Sequence, residues 1–395
     1  MKSKKSVSVL LVMVFLLLAV LVGCGHNDYS PSLNEVGNGS IEQTEDASEA
    51  IPSEAPPEAS SEDSESDHQE PIEYPTSWLM PTLHGQMALS YIEHINDIFY
   101  DRLPFSDREL ETAMWIMEEL YNMGYDRNYM ELQTFHRSDV EKWLYRPWKD
   151  LMWGKFEIDG FLRMYSQNVI LTIPGESEST IIVGAHYDGL IWPGGNDNAS
   201  GTALLLESAN SMLEQDNYYT IVYVFFGAEE LGYLGARYYY DSMTAQQRND
   251  IVMMINADIL LSGEFLIYGA GYLNADVVVE NDITQQLYAI SQDLYHAHGM
   301  DVTPYHEALF LGSDHRVFLE NNHTSVILLG VHLISEPVSE DPIFGNYGDH
   351  YITLRSWHNP EDCIHFIKEA WPGMAETNMW SFSLFLEAIL MTSFD

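Results

Sequence analysis

The chain has 395 residues, enough for one large domain or two small ones, and its 46% hydrophobic and 12% aromatic content can build a substantial core. With 17 Lys and Arg against 60 Asp and Glu, the formal net charge of −43 excludes a nucleic-acid partner, because phosphate binding needs clustered cations. Such a charge fits a secreted, highly soluble protein, and the two cysteines, Cys24 and Cys363, are too few for a disulfide framework.

Lys2, Lys4 and Lys5 precede an apolar run from Val7 to Val22 that ends in Leu21-Val22-Gly23-Cys24. A positive start, an apolar stretch and a small residue before the cut describe an export signal over residues 1–23. As a bilayer span the run is short. A Cys directly after Leu-Val-Gly resembles the lipobox of bacterial lipoproteins. That resemblance implies an acylated Cys24 as the new N-terminus, and a protein lipid-anchored at the extracellular face of the bacterial cell membrane. Residues 24–75 are mostly Ser, Glu, Pro, Asp and Ala, and no Lys or Arg occurs between Lys5 and Arg102. Such a segment cannot bury enough surface to offset its ordering entropy, so it reads as a disordered acidic tether.

From about Thr76 the composition becomes globular. Ala88, Tyr91, Ile92, Ile95 and Ile98 recur at helical spacing. A second amphipathic run, Leu110 to Met123, follows Ser106, an N-cap with Glu109 three residues later, and stops at Gly124. Residues 136–165 are rich in Trp, Tyr and Arg, lack a clear period, and read as an insertion or surface cover. Asn168 to Gly175 is a strand and turn. Thr180 to Thr202 then carries an apolar run, His186, Asp188, a Gly-rich turn and Asp197 before a small-residue segment opens a helix over Ala203 to Met212. That pattern predicts a buried parallel strand, a turn and a helix start, and ligands sit at such strand ends.

Thr220 to Phe226 is another buried strand, running into Glu229 and Glu230; Ile251 to Ile255 is a third, followed by Asn256 and Asp258. A helix around Gln285 to His298, a strand over Ser325 to Val331 and a last helix near Trp380 to Leu390 follow. Strand and helix alternate, so the fold class is α/β with a largely parallel central sheet. His186, Asp197, Glu229-Glu230 and Asp258 thus fall at strand ends or loops and offer oxygen and nitrogen ligands for divalent metal. A His from the C-terminal region would complete the set. Two ions about 3.5–4 Å apart would clamp a water and lower its pKa, with a free carboxylate as general base.

Six motifs in order carry a family resemblance: His186-Tyr187-Asp188, Gly195 to Gly201 (GNDNASG), Ala228 to Gly232 (AEELG), Asn256-Ala257-Asp258, Ser313-Asp314-His315, and Trp357 to Asp362 (WHNPED). Together they resemble the M28 family of zinc exopeptidases, over about residues 84 to 390, with a catalytic domain expected from residue 76 to 395. The resemblance implies a mixed sheet sandwiched by helices and two zinc ions. His186 and Asp258 would hold one, Glu230 and His358 the other, and Asp197 would bridge them. Glu229 matches the general base, and Asp188 the carboxylate that orients the ligand His. Many relatives carry a Tyr before the last ligand His, its hydroxyl stabilising the oxyanion. Here that residue is Trp357, whose indole N–H can donate one hydrogen bond but reaches differently. Asp314 is expected near the substrate pocket.

The activity so implied is release of N-terminal residues from peptide substrates. Carboxypeptidase or glutaminyl cyclase chemistry on the same scaffold stays open, the former needing an Arg near the substrate, with Arg316 and Arg355 as candidates. A non-catalytic, peptide-capturing lipoprotein is the alternative outside enzymology. His350 competes with His358 for the last ligand position, and Cys363 reads as structural.

Overall fold

The structure, a computed structural model, describes residues 83–143, 163–275, 277–335 and 343–394. The export signal over 1–23, Cys24, the tether over 24–75 and the stretch 144–162 of the Trp-rich segment lie outside the described residues.

Helix α1 (Gln86–Ile98) turns Ala88, Ile92 and Ile95 inward, as their spacing predicts, whereas Ile98, at its last turn, is exposed. Helix α2 (Asp107–Met123) begins at Ser106, whose hydroxyl accepts the Glu109 amide, and stops at Gly124 with φ 118°. Glu109 does not complete the capping pair with Ser106. It is fully buried, and its carboxylate accepts from the amide of Phe105, one residue further back, at 2.7 Å.

Strands β1 (Met130–His136), β2 (Tyr165–Ile173), β3 (Ser177–His186), β4 (Tyr219–Phe226) and β5 (Ile251–Ala257) are followed by β6 (Phe265–Asn274), β7 (Val277–Val279), β8 (Val302–Pro304), β9 (Ser325–Ile334), β10 (Ile343–Tyr347) and β11 (His350–Thr353). They pair in the order β1-β2-β4-β3-β5-β9-β11-β10, with β6 on the other side of β9 and carrying β7 and β8. The four central strands β4, β3, β5 and β9 run parallel. Antiparallel β2 and β6 flank them, so the sheet is mixed with a parallel centre.

Why the central strands are apolar throughout follows from what covers them. Ile182, Val222, Val224 and Met254 pack against Tyr239 and Tyr240 of helix α4 (Leu234–Ser242) and Val317 and Phe318 of helix α6 (His315–Leu319). The alternate residues Ile181, Val183, Ile221 and Tyr223 are also fully buried. They face helix α3 (Ser200–Met212), where Ser208 and the Tyr223 hydroxyl are 2.8 Å apart. Helix α8 (Met374–Leu390) lies against α1 and α3 in the same layer. A strand covered on both faces cannot alternate polar and apolar residues. Each fully buried Ile, Val or Phe contributes roughly 1.5–3 kcal/mol relative to exposure.

Parallel register then gathers the chemistry. His186 is the last residue of β3 and pairs with Phe226, the last of β4, while Gly184 pairs with Asn256 near the end of β5. The segments that follow therefore leave one edge of the sheet together, carrying Asp197, Glu229-Glu230 and Asp258. Between β5 and α8, helix α5 (Asp282–His298) and helix α7 (Ile364–Ala370) complete the chain, with Cys363 buried at the N-cap of α7.

Candidate metal centre

At the strand-end edge, Asp197 presents one carboxylate oxygen to each of two histidines. Its Oδ1 lies 3.1 Å from His186 Nε2 and its Oδ2 3.1 Å from His358 Nε2. Asp258 Oδ1 is 3.4 Å from the same His186 nitrogen, and Glu230 Oε2 is 3.2 Å from the same His358 nitrogen. Two donor sets thus share one carboxylate: His186, Asp197 and Asp258, and Asp197, Glu230 and His358. All five residues that the sequence nominated come together. His350, the rival for the last position, is exposed at the start of β11 and belongs to neither set.

The donors fit a divalent cation of the zinc type. They combine imidazole nitrogen with carboxylate oxygen. Among the described residues, Glu230 Oε1 and Asp258 Oδ1 are buried without a hydrogen-bond partner, which is costly unless something cationic faces them. The charges say the same. Burial opposes ionisation of Asp197, but hydrogen bonds from His186 and His358 overcome it and hold its carboxyl far below the usual range. Burial and the Asp197 charge push Glu230 up to about 7. Burial also pushes Glu229 well above the usual carboxylate range; His186 counters it, while Asp314, Glu230 and Asp258 add to it. A carboxylate-rich, desolvated cluster of this kind is short of positive charge.

Buried side chains fix the loops that carry these groups. The two oxygens of Asp188 accept from the amides of Glu229 and Glu230, at 3.0 and 3.2 Å. The His186 ring meets the backbone carbonyl of Asp188 at 3.2 Å, closer than its carboxylate at 3.6 Å. Asp188 therefore orients His186 mainly through its main chain and spends its side chain on the glutamate turn, a role invisible in the spacing of the motif. Ser313 donates to Asp258 Oδ2 at 2.7 Å. Asp362 accepts from the amides of Asn196 at 2.6 Å and Asp197 at 3.3 Å, tying the His358 loop to the bridging carboxylate. Fully buried Arg102 donates to the carbonyls of Tyr187, Pro193 and Gly194, at 2.6, 2.7 and 2.6 Å. Only Gly fits at 201, since a Cβ there would collide with the Ala257 carbonyl. The Asp197–Asn198 peptide is cis. Ala228, Tyr233, Ile259, Ser356 and His358 all adopt left-handed φ between 53° and 59°. Non-glycine residues in that region store about 1–3 kcal/mol each and cluster at functional sites.

The donors and Glu229 form one end of a cavity of about 380 Å³ whose walls include Leu231, Tyr233, Ile259, Leu311, Leu329, Leu354 and Trp357. Among the described residues, no Lys or Arg lines it. Arg316 instead donates to the Leu309 carbonyl and to Glu320, and Arg355 lies over Trp371. Trp357 stacks on His358, with centroids 4.0 Å apart and planes at 20°. Asp314, expected near the substrate, is fully buried and is not a wall residue; both its oxygens lack a hydrogen-bond partner among the described residues. Burial holds it well above the ordinary carboxylate range. Arg102 and Glu109, which hold the loops, and Tyr233, which lines the cavity, are neighbours of the site that sequence reasoning missed. Nothing in their spacing marks them, because each reaches the site from an element distant in sequence or from a turn.

A parallel-centred α/β sheet with overlapping imidazole and carboxylate donors at its strand ends defines a metallohydrolase-type centre. Residues 168–383, more than half of the chain, match peptidase family M28, and the chain belongs to that family. Leucine aminopeptidase 1 of Penicillium rubens is 27% identical over 190 residues, 45% of this chain and 44% of that protein. The chain spans about half the length of the curated relatives it matches. In fold it is similar to the zinc aminopeptidase of Bacillus subtilis, with TM-score 0.57, 16% identity, and coverage of 78% of this chain and 94% of that one. It is similar also to a glutaminyl cyclase of an Acidobacteriales bacterium, with TM-score 0.54, 17% identity, and coverage of 78% and 93%.

Proposed function

We propose that the protein is a metallo-aminopeptidase that hydrolyses the N-terminal peptide bond of peptides with two co-catalytic zinc ions. The reading is carried by one observation, the Asp197 carboxylate with one oxygen toward each of two histidines. His186 and Asp258 would hold one ion, and Glu230 and His358 the other. Bound there, the ions would polarise the scissile carbonyl and lower the pKa of the attacking water. Glu229 is the base. It lies outside both donor sets, lines the same cavity, and takes a proton from the water to hand to the leaving amine. The cavity is small, apolar beyond the donors, and free of Lys and Arg among the described residues. That favours a neutral N-terminal side chain and speaks against carboxypeptidase action, which needs a cation for the terminal carboxylate.

Glutaminyl cyclase chemistry is the second reading, supported by the fold likeness to such an enzyme and by an indole, not a hydroxyl, beside His358. Release of the N-terminal residue from aminoacyl amides, with and without a chelator, tests the proposal. Pyroglutamate formation from glutaminyl peptides, with no release of other residues, would replace it by the second reading. Chelator-insensitive or absent chemistry on both would leave a peptide-binding protein. By the same proposal, Cys24 carries the lipid that holds the enzyme at the outer face of the cell membrane, with residues 24–75 as its spacer.

A further inference from the structure

We infer that Tyr233 is a catalytic residue of this site, its phenol donating a hydrogen bond to the substrate carbonyl oxygen as that oxygen takes up charge. The inference deepens the hydrolase reading and rests on it. When water adds to the carbonyl, the carbon–oxygen double bond becomes a single bond and its electron pair goes to oxygen. Glu229 holds the water's proton. Collapse restores the double bond, breaks the carbon–nitrogen bond, and the leaving amine takes the proton from Glu229. A hydrogen-bond donor aimed at the developing oxyanion adds to what the ions would supply there, and removing one such donor from a site of this kind costs about 10²–10³ in kcat.

Among the described residues lining the cavity, Tyr233 alone carries a hydroxyl. That hydroxyl has no hydrogen-bond partner among the described residues, although the ring is partly buried and packs against the cluster around Val317 and Phe318. Its place is specified by Gly312, another wall residue, where any Cβ would collide with the phenol oxygen. Its backbone is joined to the base, because the Tyr233 amide donates to the Glu229 carbonyl at 2.8 Å. The residue holds a left-handed φ of 59° at the N-cap of α4, directly after the glutamate turn. Burial, and then the Glu229 and Asp314 charges, push the phenol up to about 12, so it remains a donor. The other neutral side-chain donor on the wall, Trp357, lies flat on the His358 ring.

Tyr233→Phe removes the oxygen and keeps the ring. With aminoacyl amides, kcat should fall about 10²–10³ with KM changed little. Zinc content should match wild type. A 1-aminoalkylboronic acid, a tetrahedral mimic, should bind the variant about 10- to 100-fold more weakly, whereas a substrate-like amide should not discriminate. A variant within about threefold of wild type in kcat and in boronate affinity overturns the inference. So does a comparable loss in Trp357→Phe with none in Tyr233→Phe. If wild type itself releases no residue from any amide, the hydrolase reading fails, and the boronate affinities alone decide Tyr233.

Discussion

Glu109, in the first turn of α2, accepts a hydrogen bond from the backbone amide of Ala228 at 3.0 Å, across 119 residues of chain. Gly227 donates to Asn168 Oδ1 at 3.1 Å, and Glu229 and Glu230 donate to Asp188. Four consecutive amides, 227 to 230, are thus held by buried side chains. The turn that presents the base and a metal ligand has its amides fixed by buried side chains, while its carbonyls at 227, 228 and 229 accept from the amides of the segment that follows.

Glu109 also accepts from Phe105 N and Ser166 Oγ. In Glu109→Gln one oxygen becomes an NH2, so one of three donors loses its acceptor, at a cost of about 1–3 kcal/mol. Melting temperature should fall. A shifted glutamate turn should lower kcat by up to about 100-fold, with zinc retained. An unchanged melting temperature would show that the turn does not depend on Glu109.

The roles of the vicinal glutamates separate by metal content. Glu229→Gln should keep both ions and lose about 10²–10⁴ in kcat. Glu230→Gln should bind less zinc, and added zinc should restore part of the activity. His358→Ala should lose metal, whereas His350→Ala should bind as wild type. Zinc analysis of the four purified variants reads all of this. Loss of zinc from Glu229→Gln but not Glu230→Gln would exchange the two assignments.

A pH dependence of stability follows from Glu387 in α8. Burial, reinforced by the Glu207 charge, pushes its carboxyl up to about 7 from an unfolded value of 4.5. Folding therefore favours the protonated acid. That contribution is complete below about 4.5 and is lost as pH rises through 7, amounting to at most on the order of 3 kcal/mol. Glu387→Gln should gain on wild type in melting temperature as pH rises from 5 to about 8. His84, with Nδ1 at 3.7 Å from Glu387, stays in both proteins, so the difference reports mainly the acid. A constant difference across that range would refute the shift.

Cys24→Ala should move the protein from the membrane fraction to soluble or uncleaved material. Mature, membrane-bound Cys24→Ala protein would defeat the lipid anchor.

His186, Glu230 and Asp258 were legible because each lies at or just after the end of an apolar run, and an apolar run bounded by polar residues marks a strand end. Asp197, in a Gly-rich turn, and His358, in a loop, were legible only through the motifs that carry the family resemblance. The early helices were legible from their period and caps, as at Ser106 and Gly124. Shorter pieces were not. Strands β7, β8, β10 and β11 and helix α7 have three to seven residues each, too few for a period to stand above composition. Antiparallel β6 was also missed, since a strand covered by neighbours need not alternate. What tertiary structure alone decided is who supports whom. Residue type says that Glu109, Arg102 and Asp362 can bond to backbone groups, but the partner of a buried polar group is chosen by chain crossings many residues away. For the same reason Asp188 turned to the glutamate amides, Asp314 sank out of the cavity, and the hydroxyl on the cavity wall came from Tyr233, on the turn after the glutamates.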